Sequence, residues 1–241
     1  MSPAPASVSM LTSPGRFDRA AKRAIDIVGA VVGLIVLSPI LAGAAIGILL
    51  TDGRPILFRH DRPGRGGKLF KIAKFRTMRS PQAGEVWYRT DADRITRVGR
   101  LLRSTSIDEL PELWNVLRGD MSLVGPRPLL IQYLDSYTET ERIRHVVRPG
   151  ITGWAAVNGR HVARFEDRLA LDVWYVEHWS LALDFRIIGR TVSQVLRRTN
   201  VAAIQDLDEI DFPPRFETGL EQRGEPLDGR VRPDDTPPAD G

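Results

Sequence analysis

Two adjacent carboxylates, Asp108 and Glu109, stand at the mouth of an apolar helical pattern in "STSIDELPELWNVLRGDMSLVGPRP", residues Ser104 to Pro128. An ionised carboxylate can cap a helix, bind Mg²⁺, or attack an electrophilic phosphorus or carbon. Cations surround this pair in sequence. Arg103 lies five residues before Asp108, Arg118 follows, and Arg127 sits in a stiff Gly-Pro-Arg-Pro frame. Guanidinium groups chelate phosphate oxygens, and positioned cations stabilise the charge that spreads over a phosphoryl group in transfer. Carboxylates for a metal and arginines for phosphate therefore suggest phosphoryl-transfer chemistry. A surface ion-pair network is the plainer reading of the same residues.

A helix has to position the pair. Leu110, Leu113, Trp114 and Leu117 recur at i, i+3, i+4 and i+7, one apolar helical face. Ser106-x-x-Glu109 has the form of a capping box. Pro111 disfavours that register, because it places proline beyond the free first-turn amides. An N-cap at Asp108 accommodates it. Either register leaves Asp108 at a helix N-terminus, whose partial positive charge favours the ionised carboxylate.

A second strong pattern lies upstream. After Arg16, Arg19, Lys22 and Arg23, the stretch Ile27 to Leu50 carries no charge and is long enough to cross a bilayer core of about 30 Å. It is too long for the apolar region of a signal peptide, and no clear small-residue cleavage site follows it. Ser38-Pro39 interrupts the stretch: proline removes a helical hydrogen bond, and a serine hydroxyl can occupy a freed carbonyl. Basic residues also follow the segment at Arg54, Arg59, Arg62 and Arg65. A simple span concentrates them on one flank. A helix-break-helix hairpin that enters one leaflet and returns accounts for both features, with a kinked single span as the alternative.

Between these patterns, "RPILFRHDRPGRGGKLFKIAKFRTMRS" alternates about a Gly-rich turn as a β-hairpin does, with Ile56, Phe58, Leu69, Ile72 and Phe75 as the expected inner face. The turn is no P-loop, since Arg62 stands where the first glycine belongs and no Ser or Thr follows Lys68. Beyond the carboxylates, "RPGITGWAAVNGR" has loop punctuation. A helical pattern then runs from Phe165 towards Asn200, in which Trp174, Tyr175 and Trp179 suit either an interfacial belt or a core.

Composition narrows the classes. The 241 residues include no cysteine, which removes disulfides, thiol nucleophiles and thiolate metal sites, and the four histidines lack zinc spacing. Residues 206–241 hold 11 acidic residues against 4 arginines, leaving 30 basic and 19 acidic residues elsewhere. Such a basic body suits anionic lipid or a phosphorylated substrate. No nucleic-acid-binding motif is present, so no nucleic acid partner is expected.

With "KRAIDI", the central Ser38-Pro39, "KFRTM" at Lys74 to Met78, the dyad segment and "RPGITGWAAVNGR" in this order, the chain resembles the bacterial sugar transferases, small monotopic phosphoglycosyl transferases acting on polyprenyl phosphate. The resemblance covers nearly all of residues 17–200, in the family's minimal form. It implies an α+β monotopic membrane protein: a re-entrant hairpin broken at Ser38-Pro39 (17–52) and a mainly helical cytoplasmic catalytic domain with a small β-hairpin (53–200); by composition the N-terminus (1–16) and the acidic, Pro-rich tail (201–241) read as disordered. It implies that Asp108 attacks the β-phosphorus of a UDP-sugar, with Glu109 as its partner and Mg²⁺ at Asp108. Lys74, Arg76, Arg103, Arg127 and Arg160 are the implied phosphate or substrate contacts, while Thr152 and Asn158 look architectural. The partners implied are UDP-sugar, polyprenyl phosphate and the inner leaflet of the bacterial cytoplasmic membrane. A non-catalytic scaffold binding anionic lipid and a partner is the competing function. Two departures from the family pattern are Ala156, often glutamine, and Ala73, commonly aromatic; they bear on specificity more than on the dyad.

Overall fold

The computed structural model describes residues 16–80, 91–158 and 165–197. The expectations for the tail at 201–241, for residues 1–15 and for Arg160 lie outside them.

The apolar segment forms two helices, α1 (Arg16–Val36) and α2 (Ser38–Thr51), whose axes bend by 61° at Leu37. The break has the chemistry its sequence predicts. Pro39 lies in the first turn of α2, where its missing amide costs no helical bond, and Ser38 Oγ donates to the Ile35 carbonyl at 2.8 Å. The result is an open elbow, which turns the chain without reversing it. Among the described residues no single helix is long and apolar enough to cross a membrane, but the bent pair meets that test together. Val28, Val32, Ile35 and Val36 on α1 and Ile40, Ile46 and Leu50 on α2 are exposed.

The charged residues of "KRAIDI" dock α1 onto the rest of the protein. Lys22 donates to Asp184 at 2.6 Å and to the Val124 carbonyl at 3.1 Å. Arg23 donates to the carbonyls of Val116 and Leu117 at 2.7 and 2.9 Å, and Asp26 accepts from the Ser122 hydroxyl and the Leu123 amide, both at 2.9 Å. Lys22 and Arg23, read from sequence as a basic flank, are thus contacts of the fold.

The expected hairpin is present as β1 (Leu57–Pro63) antiparallel to β2 (Leu69–Phe75), with His60 opposite Ile72 and Phe58 opposite Lys74. Its expected inner face needs correction. Ile72 and Phe75 are buried, whereas Phe58 and Leu69 are exposed. Ile72 and Phe75 point to opposite faces, because side chains alternate along a strand. Ile72 packs in a core with Ala30, Leu113, Val116 and Met121, and Phe75 in another with Ala44, Ile48 and Leu102. The hairpin is therefore gripped on both faces, and its turn end is anchored as well: Pro63 and Gly64 are buried, and Arg65 Nε donates to the Val146 carbonyl at 3.1 Å. Each such buried aliphatic side chain contributes about 1.5–3 kcal/mol.

After α3 (Asp91–Arg94) and α4 (Arg97–Ser104) come α5 (Glu112–Arg118), β3 (Ser122–Val124), α6 (Glu139–Arg142), β4 (Gly150–Thr152), α7 (Trp154–Asn158), α8 (Phe165–Glu177) and α9 (Leu181–Leu196). β3 and β4 form a parallel pair that the sequence reading did not anticipate. Of the aromatic trio on and after α8, Tyr175 is fully buried and donates to Asp184 at 2.7 Å, and Trp179 Nε1 donates to the same carboxylate at 3.1 Å. Trp174 stacks on Trp154 with ring centres 4.9 Å apart. The described architecture is α+β and mainly helical.

Candidate active site

The carboxylates sit where α4 turns into α5. Ser106 takes a left-handed conformation (φ 55°), which costs a non-glycine residue about 1–2 kcal/mol, and it reverses the chain into a tight 3₁₀ turn, Ile107–Glu109. Leu110 then bonds back to Ile107, Leu113 to Leu110 and Trp114 to Pro111. These i to i−3 bonds lead the spiral past Pro111 without calling on its missing amide. Neither capping register holds. The Ser106 side chain makes no cap bond, the N-cap of α5 is Pro111, and α5 has no side-chain cap at all. Asp108 belongs to the 3₁₀ turn that precedes the helix.

That turn and the first residue of α5 bury three acids: Asp108, Glu109 and Glu112 are each less than a tenth exposed. Glu109 Oε1 accepts from both Lys74 Nζ at 2.9 Å and Arg127 Nη2 at 2.7 Å. Lys74 also lies 3.5 Å from Glu112. Burial alone would raise the Glu109 carboxyl, but the charges of Arg127 and Lys74 overcome it and hold the group well below the usual carboxylate range. Lys74 is itself raised above its ordinary value: burial is the largest single influence and lowers it, but the combined pull and hydrogen bonding of Glu109, joined by Glu112, outweigh burial and the repulsion of Arg127. Glu112 goes the other way. Burial, reinforced by the charges of Glu109 and Asp108, outweighs Lys74 and pushes it up to about 8, so near neutral pH it mostly keeps its proton. Sequence reasoning missed Glu112, although its i+4 spacing from Asp108 was visible.

Both cations are aimed by main-chain splints. Lys74 lies on β2, and Asn115 of α5 bonds that strand's free edge on either side of Ile72: its Oδ1 accepts from the Ala73 amide at 3.0 Å and its Nδ2 donates to the Lys71 carbonyl at 2.7 Å. Asn115 thus replaces a neighbouring strand. Ala73 meets it through the backbone, so the absent aromatic ring leaves this contact intact.

Arg127 follows β3 in the Gly-Pro-Arg-Pro loop, which is zipped to the "RPGITG" segment by Gly125 N–H to Thr152 O and Gly150 N–H to Pro126 O, both 2.9 Å. There is no space between these backbones. A Cβ on Gly150 would lie 2.1 Å from the Gly125 nitrogen, and one on Gly153 2.3 Å from the Gly125 oxygen. Thr152 meets Thr191 of α9 at 2.8 Å, and Asn158 bonds Trp154 O and Arg190. Both residues act as loop architecture.

The remaining candidates divide. Arg103 donates to Thr77 at 3.0 Å, at the end of the "KFRTM" segment. Arg76 directs its guanidinium to the carbonyls of Asp52, Gly53 and Arg54, just beyond α2, and none of these bonds involves Glu109. Arg118 pairs with Asp120 in a largely exposed contact at 3.5 Å.

No cluster of three or more His, Cys, Asp or Glu suited to a metal occurs among the described residues. Mg²⁺ commonly takes one or two carboxylates together with substrate phosphates. Glu109 is held by two cations and Glu112 retains its proton, so neither is suited to that mode as the site stands.

The family model described as bacterial sugar transferase matches residues 17–198. The "uncharacterized sugar transferase EpsL" of Bacillus subtilis is 48% identical over 175 residues, 73% of this chain and 87% of the relative. A UDP-glucose:undecaprenyl-phosphate glucose-1-phosphate transferase of Caulobacter vibrioides is 43% identical over 189 residues, 74% of this chain and 71% of the relative. An undecaprenyl-phosphate galactose phosphotransferase of Salmonella typhimurium is 40% identical over 200 residues, 76% of this chain but 42% of the relative. The match thus spans less than half of some relatives' length.

Proposed function

The chain belongs to the bacterial sugar transferase family, and on that premise we propose that it moves a sugar 1-phosphate from a UDP-sugar to an undecaprenyl-type polyprenyl phosphate, as the first membrane step of a surface or secreted glycan. The observation that carries this reading is the clasp of Lys74 and Arg127 on Glu109, immediately beside Asp108. Two cations fixed before substrate arrives are what a diphosphate and its transition state require.

In this mechanism an Asp108 carboxylate oxygen attacks the β-phosphorus, and the bond from that phosphorus to the bridging oxygen breaks. UMP leaves with the electron pair and the bridging oxygen. An oxygen of polyprenyl phosphate then attacks the same phosphorus, forming the diphosphate linkage and returning the Asp108 carboxylate. Glu109 acts as an internal anion that keeps Lys74 and Arg127 in place, from which phosphate oxygens recruit them. Mg²⁺ at Asp108 would supply further neutralisation of the diphosphate. The neutral Glu112 carboxyl keeps a third negative charge away from the incoming phosphates.

The exposed apolar surface of the α1–α2 elbow supports seating in the inner leaflet of the cytoplasmic membrane with the domain on the cytoplasmic side. A lipid phosphate and a water-soluble nucleotide sugar then meet at the headgroup plane. The test is UMP release from UDP-glucose, UDP-galactose and UDP-N-acetylgalactosamine with polyprenyl phosphate, comparing wild type with Asp108→Asn. Release by wild type and none by the variant is expected. Equal turnover by both overturns the role of Asp108 as nucleophile, and liposome binding without UMP release overturns the reading in favour of a scaffold.

A further inference from the structure

Behind Arg127 lies a buried network that the mechanism above does not use. Arg144, in the turn between α6 and β4, is almost inaccessible to solvent. Its Nε and Nη2 donate to Asp172 Oδ2 of α8 at 3.2 and 2.6 Å, and its Nη1 donates to the Tyr137 hydroxyl at 3.1 Å. Nη2 also donates to the main-chain carbonyl of Arg127 at 2.6 Å. The guanidinium lies over the Tyr137 ring, 5.6 Å from its centre.

A stabilising ion pair between α8 and its neighbours would need only Arg144 and Asp172. The additional bond goes to the residue that presents its own guanidinium to Glu109. Proline on each side of Arg127 restricts the backbone there. The glycine seam fixes one flank of the loop, and Arg144 fixes its centre.

We infer that Arg144, held by Asp172 and Tyr137, is a positioning residue that orients Arg127 for phosphate recognition. This rests on the proposed transfer reaction for its substrate, but its geometry is independent of Asp108. A guanidinium is required because three directions are served at once. Lysine keeps the charge and loses the planar fork.

The test is a double-mutant cycle of Arg144→Lys with Arg127→Ala, read on kcat/KM for UMP release and, separately, on the Kd for UDP by calorimetry, which needs no turnover. Arg144→Lys alone is expected to lower kcat/KM ten- to a hundredfold and to weaken UDP binding several-fold. In the Arg127→Ala background it should cost less than twofold on either readout. A purely structural Arg144 gives the same loss in both backgrounds, and that outcome overturns the inference. Tyr137→Phe, which removes one hydroxyl, covers the case in which Arg144→Lys does not fold. Its loss is smaller, two- to fivefold, and must likewise vanish without Arg127. Coupled UDP binding with no UMP release would overturn the catalytic reading and leave Arg144 assigned; additive losses in an active enzyme would do the reverse.

Discussion

The protein contains two charged networks at the base of the same domain, and they follow opposite plans. At the α1 dock neutral donors outnumber cations on the carboxylates: Asp184 receives one cation, Lys22, beside Tyr175 and Trp179, Asp26 receives Ser122 and a backbone amide, and Arg23 takes two helix-end carbonyls. In the candidate site two cations crowd one carboxylate oxygen, and two more acids are packed beside it, one driven to hold a proton. A network that only holds a fold can satisfy its acids largely with neutral donors. One that must release cations to a substrate gathers them on one acid. Buried charge alone does not separate structure from function; the kind of donor does.

Four experiments can break or sharpen that contrast. Asp108→Asn should reduce UMP release at least a thousandfold, as removal of a covalent nucleophile does, while thermal unfolding stays within 1–2 °C of wild type. A large fall in stability would place Asp108 with the dock instead. Asp184→Ala should do the opposite, destabilising by about 3–5 kcal/mol through the charge left on Lys22, with turnover per folded molecule retained. Denaturant titration beside the UMP assay separates the two. Lys74→Met should lower kcat/KM about a hundredfold, the scale of one lost phosphate donor, and the loss should shrink in a Glu109→Gln background, where the clasp is already undone.

The smallest effect concerns pH. Glu112 faces Lys74, Glu109, Arg127 and Asp108, and its folded value near 8 exceeds the ordinary 4.5. The fold therefore favours the protonated form. Its stabilising contribution is complete below about 4.5 and is lost as pH rises through about 8. Glu112→Gln, always neutral, should flatten the decline of Tm between about pH 5 and 9; an unchanged slope would mean that Glu112 is ionised in the fold.

Features with a local cause were legible in the sequence. Ser38-Pro39 interrupts the apolar helix locally, and alternation about a Gly-rich turn makes a hairpin. What escaped depends on partners far along the chain. The exposure of Phe58 and Leu69 depends on where the cores that take Ile72 and Phe75, built from distant helices, meet the hairpin. Arg76 was drawn to the end of α2, 22 to 24 positions away, and Arg144 to Asp172, 28 positions away. No periodicity encodes either. The capping reading failed because Ser106 adopts a left-handed turn, which its residue type does not announce.

The glycine seam between Gly125, Gly150 and Gly153 has a mechanical consequence. Side chains at an interface act as a cushion, repacking to absorb small displacements, but here backbone rests on backbone and nothing can yield. A shift of α9, linked to this seam through the Thr191 and Thr152 side chains, would be passed across it to the loop that carries Arg127. A helix more than seventy positions along the chain from the carboxylates is thereby coupled to the cation that serves them.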